Sequence, residues 1–294
     1  MEAAAGSALH AALIEAMGEA NVFTGEGIDD RYRVDLLGLS RCEPAFLVRP
    51  GGTAEVAAVM RAANDHNIPV TPLGGRTGLV GGGMTDGIQM SLERMAAIEE
   101  IDTTAMTMTV GAGCVLQAAH EAAEARGTLL PLDLGARGTA TIGGVIGTNA
   151  GGNRVLRWGM MADMVLGLEA VMADGTVITS LTKMLKDNAG YHWKNLLVGS
   201  EGTLGIVTRA VLRLRPLPRS IQTAIIAVPS FDAMVTTLRR LEAALAGRLS
   251  SFEVMWEDFY ERVTTANRAK REAPLPTGSP YFALSESTGY DPED

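Results

Sequence analysis

The stretch Pro72-Leu-Gly-Gly-Arg-Thr-Gly-Leu-Val-Gly-Gly-Gly83 directly follows a predicted strand and holds six glycines in twelve positions. Glycine lets the backbone approach a ligand closely and adopt positive φ. Successive N–H groups in such a run can form a concave anion site, to which Thr77 would add a hydroxyl donor and Arg76 a charge, unless Arg76 simply faces water. No Gly-Lys-Ser/Thr follows, which excludes a Walker phosphate loop. The alternative is a mobile glycine loop without a ligand.

Two further glycine-rich runs lie downstream, namely Thr141-Ile-Gly-Gly-Val-Ile-Gly-Thr-Asn-Ala-Gly-Gly152 and Gly199-Ser-Glu-Gly-Thr-Leu-Gly-Ile-Val207. Thr148 and Asn149 suit hydrogen bonds to a flat heterocycle, although a glycine-rich helix crossing would need no ligand at all. Glu201 either binds a ligand or caps neighbouring amides, and residue chemistry alone leaves that choice open. Three such runs suggest a long ligand lying across several loops, for which a dinucleotide is the natural candidate.

A fourth glycine pattern looks like a nicotinamide-nucleotide fingerprint but lacks one element of it. Val110-Gly-Ala-Gly113 leaves a predicted strand and enters a predicted helix. The third glycine position is occupied by Leu116, so the helix cannot come as close to the strand as that fingerprint requires. We interpret Gly111 and Gly113 as a turn.

The bulk composition narrows the class of protein. The chain has 294 residues, 47% of them hydrophobic, and a formal net charge of −9, which disfavours nucleic-acid binding. Cys42 and Cys114 make no disulfide framework, and four scattered histidines give no metal-ligand spacing. The first 20 residues predict an amphipathic helix (Ala8 to Ala20) without a signal peptide or membrane span, so we expect a cytoplasmic protein.

The order of predicted elements indicates an α+β protein. A strand at Phe46–Val48, a helix capped by Thr53 and a strand at Ile68–Val70 form the opening β-α-β unit. Asp174-Gly175 predicts a hairpin, and Thr208–Arg215 alternates as a half-buried strand.

Pro216-Leu-Pro218 marks a predicted domain boundary. Beyond it we expect a strand at Ile221–Val228, a helix capped by Ser230 and ended near Gly247, and a strand at Ser250–Met255. A helix at Trp256–Asn267, followed by the solvated Arg268–Arg271 cluster, and a strand at Tyr281–Ser285 complete the order. A ferredoxin-like unit needs one more helix and strand, so we expect residues 219–294 to be an incomplete domain after a first domain at 1–218. A small three-stranded layer that ends naturally is the alternative.

Five ordered motifs carry a resemblance to the FAD-linked oxidase family, the vanillyl-alcohol-oxidase-like flavoproteins with a PCMH-type FAD-binding domain. Within that family the chain is similar to the branch of D-2-hydroxyglutarate dehydrogenase, D-lactate dehydrogenase and the glycolate oxidase flavin subunit. The motifs are the run from Pro72 to Gly82, the run from Ile142 to Gly152, Leu166–Val171 with Ala173–Gly175, Lys186–Tyr191, and the run from Gly199 to Val207. Met160–Asp163 and His192–Lys194 depart from the family pattern.

The resemblance implies a two-subdomain PCMH-type FAD-binding domain followed by a partial ferredoxin-like cap, and it implies three groups of cofactor-binding residues. The FAD pyrophosphate would be cradled by Pro72, Leu73, Gly74, Gly75, Arg76, Thr77, Gly78 and Leu79. The isoalloxazine and ribityl would be lined by Pro131, Leu132, Asp133, Gly138, Thr141, Gly143, Gly144, Thr148 and Asn149. The flavin and adenine ends would be flanked by Glu201, Gly202, Ile206 and Val207. No histidine lies in the first two runs, so the resemblance implies non-covalent FAD.

The function implied is oxidation of a D-2-hydroxy acid, of the 2-hydroxyglutarate, lactate or glycolate type, by hydride transfer to flavin N5. Electrons would leave to an electron-transfer protein or a quinone, and a homodimer is the candidate assembly. Relatives carry their catalytic histidine and a histidine-rich metal motif in a C-terminal region, so no catalytic residue is assignable and a divalent metal is expected only beyond Asp294. The alternatives are an FAD-binding but catalytically incomplete fragment or subunit, and a reductase of the cell-wall precursor type.

Overall fold

The computed structural model describes residues 3–265 and 273–292. Its helices are α1 (Ala3–Met17), α2 (Thr53–Asp65), α3 (Leu116–Glu124), α4 (Ile142–Gly147), α5 (Val155–Trp158), α6 (Met161–Met164), α7 (Lys194–Leu197), α8 (Phe231–Leu245) and α9 (Glu257–Thr265). Its strands are β1 (Val22–Phe23), β2 (Phe46–Val48), β3 (Val70–Leu73), β4 (Ile88–Ser91), β5 (Ile98–Asp102), β6 (Thr107–Gly111), β7 (Thr128–Leu129), β8 (Val165–Val171), β9 (Val177–Ser180), β10 (Ile206–Arg213), β11 (Arg215–Pro216), β12 (Ser220–Val228), β13 (Leu249–Trp256) and β14 (Tyr281–Gly289). The predicted α+β class is confirmed.

The chain divides into two compact units. Unit 1 comprises Met1–Leu130, Gly135–Ala150 and Met161–Arg215, and unit 2 comprises Pro131–Leu134, Gly151–Met160 and Pro216–Asp294. Unit 2 therefore takes in two short upstream segments as well as the C-terminal part of the chain. The domain boundary predicted at residue 218 stays a prediction.

Unit 1 contains two sheets. The first has the order β1-β2-β4-β3, in which β4 is parallel to both β2 and β3. The second has the order β5-β6-β10-β8-β9 and is antiparallel throughout. The predicted hairpin is present, since β8 and β9 pair on either side of a turn in which Gly175 has φ 79°.

Three details of unit 1 correct the sequence-based predictions. Gly52, not Thr53, is the N-cap of α2, because the Thr53 hydroxyl donates to Glu169 Oε1 at 2.6 Å. The strand predicted at Ile68–Val70 begins only at Val70, because Ile68 N still donates to Ala63 O at the end of α2. β10 is a central, almost fully buried strand rather than a half-buried one, and its partly exposed Arg209 forms an ion pair with Glu99.

Unit 2 is built on the antiparallel sheet β12-β14-β13. The predicted order β-α-β-α-β is confirmed, with α8 and α9 packed on this sheet. Ser230 caps α8 by accepting from Ala233 N, and Gly247 with φ 83° follows its last turn, both as predicted. The end of the helix predicted at Trp256–Asn267 and the cluster from 268 to 271 lie outside the described residues.

Glu169 is a buried carboxylate that joins three elements of unit 1. It lies on β8 at 8% exposure and accepts from the hydroxyls of Thr53 on α2 and Thr208 on β10. Arg209 Nη1 donates to its other oxygen at 3.4 Å. A buried acceptor of this kind is costly to remove, because its donors are left without a partner.

We predict that Glu169→Ala lowers the free energy of unfolding by about 2 kcal/mol, because the half-buried Thr53 hydroxyl and the buried Thr208 hydroxyl both lose their hydrogen bond to this carboxylate. Glu169→Gln keeps the acceptor and should cost about half as much. Urea unfolding monitored by circular dichroism measures both, with the exposed Glu124→Ala on α3 as the control. Equal losses for the alanine and glutamine variants would contradict this role.

Asp174 in the β8–β9 turn accepts from Thr176 N and from Thr176 Oγ1, both at 2.8 Å. These hydrogen bonds hold the pKa of Asp174 below its ordinary value of 3.8. A carboxylate whose folded-state pKa is depressed stabilises the fold above its unfolded pKa, and this contribution is lost as the pH falls through the folded pKa.

We therefore predict that Asp174→Ala lowers the melting temperature at neutral pH and that the difference from the parent shrinks well below pH 3.8. Thermal unfolding over a pH series tests this, with the exposed Asp65→Ala as the control. A difference that is independent of pH would show that the carboxylate charge has no part in the turn.

Candidate FAD-binding site

The first and second glycine runs touch backbone to backbone in unit 1. A Cβ placed on Gly74 would lie 2.5 Å from Thr141 Oγ1, and one placed on Gly75 would overlap Thr139 O. No side chain fits between these segments, so glycine is required at both positions. These contacts bring the loop after β3 against the start of α4.

The third glycine run contacts both of the other runs. Gly199 N donates to Ile146 O at 3.0 Å, and Glu201 N donates to Gly147 O at 2.9 Å. A Cβ on Gly202 would overlap the ring of Pro72, which belongs to the first run. The three runs, although separated by more than a hundred residues from first to last, therefore converge within one unit.

The loop from Gly75 to Leu79 carries the feature that most directly indicates a ligand. Among the described residues, none of these five backbone N–H groups donates a hydrogen bond to the protein. Arg76 within the loop has φ 56°, and a Cβ on Gly78 would meet nothing within 4 Å. Consecutive unpaired N–H groups on an open, glycine-rich loop form a concave site that fits a pyrophosphate.

The second run folds largely as a short helix, α4. A glycine-rich helix that packs closely on its neighbours would need no ligand. Thr141 is the N-cap of α4, and its Oγ1 accepts from Gly144 N at 3.4 Å. The Thr148 hydroxyl donates to Gly144 O, and Asn149 Oδ1 accepts from Ala162 N. Gly143 packs on Ala112, where a Cβ would come within 2.8 Å of the alanine side chain. These groups thus have structural partners, and their contact with a flavin stays a prediction.

The remaining predicted residues are distributed over both units. Ile206 and Val207 are buried at the start of β10, and Gly138 lies exposed before α4. The Glu201 side chain is exposed, with φ 51° and its Oε2 3.6 Å from the Cβ position of Gly82. Pro131, Leu132 and Asp133 belong to unit 2, where Asp133 O accepts from Asn153 N.

The glycines of the pattern Val110–Gly113, which the sequence analysis interprets as a turn, allow close backbone packing. A Cβ on Gly111 would overlap Met95 O, and one on Gly113 would overlap Leu92 O. Both glycines therefore allow β6 and the following turn to press against the backbone after β4. The interpretation as a turn is confirmed for Gly113, whereas Gly111 is the last residue of β6.

A polar pocket in unit 1 is formed around the motif from Lys186 to Tyr191. Lys194 Nζ donates there to Val165 O at 2.8 Å and Leu166 O at 3.0 Å. Burial lowers the pKa of the Lys194 ammonium, and the charge of Asp187 opposes that shift. The lysine thereby anchors α7, the helix that immediately precedes the third glycine run.

Unit 2 contains an ion-pair network that the sequence analysis missed. Arg154 donates to both carboxylate oxygens of Glu286, at 2.9 and 3.2 Å, and lies 3.9 Å from Asp133 Oδ2. Ser250 Oγ donates to Glu286 Oε1 at 2.8 Å. No local signal could have revealed it, since Arg154 and Glu286 are 132 positions apart.

Comparison with known proteins agrees with this geometry. Residues 44–180 match the family model described as "FAD binding domain". The D-2-hydroxyglutarate dehydrogenases of Bos taurus (mitochondrial) and Xanthomonas citri pv. viticola are 40% and 38% identical over 261 and 250 residues. These alignments cover 88% and 84% of this chain and 47% and 52% of the relatives. A putative D-lactate dehydrogenase of Schizosaccharomyces pombe is 33% identical over 90% of this chain and 50% of its own length.

Among solved structures, p-cresol methylhydroxylase with substrate bound superposes with a TM-score of 0.79 over 98% of this chain and 62% of its own, at 14% identity. At that identity the likeness shows the fold alone. The fold and the family match define an FAD-binding domain of the PCMH type. Residues 44–180 are therefore similar to an FAD-binding domain, and the relatives of the chain are named as D-2-hydroxyglutarate dehydrogenases and a putative D-lactate dehydrogenase. The chain spans about half the length of these curated relatives.

Two absences hold for the part of the chain that the structure describes. No three His, Cys, Asp or Glu side chains lie close enough together to hold a metal ion. Over the same residues, no helix combines the length and the apolarity that a bilayer-spanning segment requires.

Cys42 and Cys114 are free and buried, and burial raises the pKa of the Cys114 thiol.

The two kinds of glycine in the first run predict different mutant behaviour. Gly75→Ala should lower the melting temperature, because its Cβ would overlap Thr139 O. Gly78→Val should leave the melting temperature of the FAD-free protein unchanged but weaken FAD binding about tenfold, since the side chain would enter the space left for the ligand. Flavin-fluorescence titration and thermal unfolding measure these effects.

Gly27→Val is the matched control, because a Cβ on Gly27 also meets nothing within 4 Å and lies outside the three runs. Unchanged FAD affinity in Gly78→Val would show that the pyrophosphate does not pass this loop. Unchanged stability in Gly75→Ala would contradict the backbone packing of the first two runs.

Proposed function

We propose that the chain binds FAD non-covalently, with the pyrophosphate on the N–H groups of the loop from Gly75 to Leu79. The observation that carries this proposal is a set of five adjacent backbone donors, which have no acceptor in the part of the protein that the structure describes and which lie on a loop packed against the two other glycine runs. The absence of histidine from the first and second runs supports a dissociable cofactor.

We propose further that the protein to which this chain belongs is a D-2-hydroxy-acid dehydrogenase. The substrate class comes from the relatives, several of which are named D-2-hydroxyglutarate dehydrogenase and one a putative D-lactate dehydrogenase. The substrate would lose a hydride from Cα and a proton from its hydroxyl, giving the 2-oxo acid. FAD supplies the hydride acceptor in such a reaction, and the electrons then pass to an electron-transfer protein or quinone.

The chain's own residues would contribute binding and orientation to this reaction. The N–H groups of the first run would donate hydrogen bonds to the pyrophosphate oxygens. The main chains of the second and third runs, which pack against this loop, would fix its position. No residue of this chain is proposed as the base that takes the hydroxyl proton. We also propose that the protein is cytoplasmic and that it forms a homodimer.

A second candidate is an FAD-binding chain that is catalytically incomplete by itself. The observation favouring it is that the chain covers about half of the relatives' length. In that case FAD binds, while turnover of the hydroxy acid requires residues outside this chain. The two candidates share the cofactor site and differ only in reactivity.

Purified protein saturated with FAD should show the yellow absorbance of bound flavin. We expect anaerobic addition of D-2-hydroxyglutarate, or of D-lactate, to bleach this absorbance, and a dye acceptor to restore it, if the chain is competent alone. The L-enantiomers are the controls. Retained FAD with no bleaching would favour the incomplete chain, and absence of any FAD binding would overturn both candidates.

A further inference from the structure

The first glycine run is tied to Tyr32 at three points along its length. Leu73, at the start of the run, packs in a buried cluster with Ile28, Tyr32 and Leu47. In the middle of the run, the Arg76 guanidinium lies 5.0 Å from the centroid of the Tyr32 ring, and Arg76 Nη1 donates to Arg31 O. At the end of the run, Gly83 O accepts from Gln89 Nε2, which also donates to Tyr32 O at 2.8 Å.

Tyr32 itself is held firmly enough to act as a fixed point. It is 4% exposed, its hydroxyl accepts from Arg31 Nη2 at 3.0 Å and donates to Glu93 Oε2 at 3.2 Å. Gln89 on β4 is completely buried, and its amide nitrogen donates to the two carbonyls and also contacts Cys42 Sγ at 3.6 Å. A buried amide that bridges two backbone oxygens fixes the distance between them.

Arg76 occupies a backbone conformation that its residue type rarely adopts. Its φ of 56° is unfavourable for a side chain with a Cβ, and glycine would take this conformation without strain. Strain of this kind persists only where surrounding contacts determine the geometry. The contacts available to Arg76 are the Tyr32 ring and the Arg31 carbonyl, and both direct its guanidinium to the segment Asp30–Tyr32.

We propose that Tyr32, Arg76 and Gln89 form a clamp, the Tyr32 clamp, that holds the first glycine run in the shape required to bind the pyrophosphate. Arg76 is then a positioning residue, acting through the loop and not through its charge on the phosphates. The proposal rests on the FAD site proposed above. It assigns a role in cofactor affinity to Tyr32, which lies 40 positions before the first residue of the run.

The test uses FAD affinity of the whole chain, measured by flavin-fluorescence titration, in a double-mutant cycle. Tyr32→Leu and Arg76→Gln should each weaken FAD binding about tenfold, the range expected for a lost cation–π contact that orders a loop. The double variant should be no weaker than the weaker single variant, because both changes release the same clamp. Tyr32→Phe keeps the ring and should bind FAD nearly as the parent does. Arg126→Gln, exposed beyond α3, is the matched control.

Two further readouts separate positioning from direct phosphate binding and from general destabilisation. A guanidinium that bound the phosphates would give Arg76→Gln a smaller salt dependence of FAD affinity, whereas the clamp predicts an unchanged salt dependence. In the FAD-free protein, trypsin should cleave after Arg76 faster in Tyr32→Leu than in the parent. That readout is independent of the cofactor, so it tests the clamp even if the FAD proposal fails.

Three outcomes would each overturn the clamp. The losses of FAD affinity could multiply in the double variant, or the FAD affinity of Arg76→Gln could show a reduced salt dependence. The third outcome is an unchanged rate of cleavage after Arg76 in folded Tyr32→Leu. If Tyr32→Leu does not fold, Arg76→Gly carries the test, because glycine relieves the backbone strain while removing the anchor. The clamp predicts weaker FAD binding for Arg76→Gly, and equal or tighter binding would overturn it. A parent protein that bound no FAD would instead refute the proposed function.

Discussion

Direct backbone contact between the first two glycine runs is the constraint on which the candidate site depends. Gly74 and Gly75 leave no room for a side chain against Thr139 and Thr141, so the loop after β3 is set by main-chain packing. Gly202 repeats the arrangement against Pro72 from the other side. A loop fixed in this way can present its N–H groups without first being ordered, which reduces the entropic cost of binding an anion.

The glycines of the first run therefore serve two purposes, and the ligand-free and ligand-binding interpretations of the sequence apply to different positions. Gly74 and Gly75 allow close packing, whereas Gly78 borders open space and packs against nothing. The distinction matters because a glycine needed for packing would be present whether or not a ligand binds. Within the described ranges, the backbone N–H groups from Gly75 to Leu79 donate to no protein acceptor, and it is these groups that support a ligand.

Each run also contains one non-glycine residue with positive φ, namely Arg76, Asn149 and Glu201. Such a conformation costs on the order of 1–3 kcal/mol and persists where neighbouring contacts enforce it. Asn149 is fixed through its Oδ1, which accepts from Ala162 N, and Glu201 through its N–H, which donates to Gly147 O. In these two residues, as in Arg76, a specific contact takes the place of glycine's conformational freedom.

The sequence predicted the elements whose signals are local. The Asp174-Gly175 hairpin, the Ser230 cap of α8 and the succession of helices and strands in unit 2 each depend on residues a few positions apart. The family resemblance added the expectation that the runs serve one cofactor. Spacing alone could not show that Gly75 meets Thr139 or that Gln89 bridges Tyr32 and Gly83, because these contacts depend on sheet order and register. The misplaced cap at Thr53 has the same origin, since its hydroxyl is taken by Glu169, 116 positions away.

In unit 2 a network of charged side chains holds the segment Gly151–Met160 on the sheet β12-β14-β13. The arginine of this network is already paired with a carboxylate of the protein. Arg154 uses a bidentate pair to bind Glu286 on β14, and Ser250 on β13 donates to the same carboxylate. Removing one partner of a largely buried pair leaves an uncompensated charge, which is far more costly than the pair is stabilising. Any external carboxylate would therefore have to compete with Glu286 for Arg154. The segment Gly151–Met160, which begins with the last two glycines of the second run, is thereby held on the sheet of its own unit by contacts that a substrate could not easily displace.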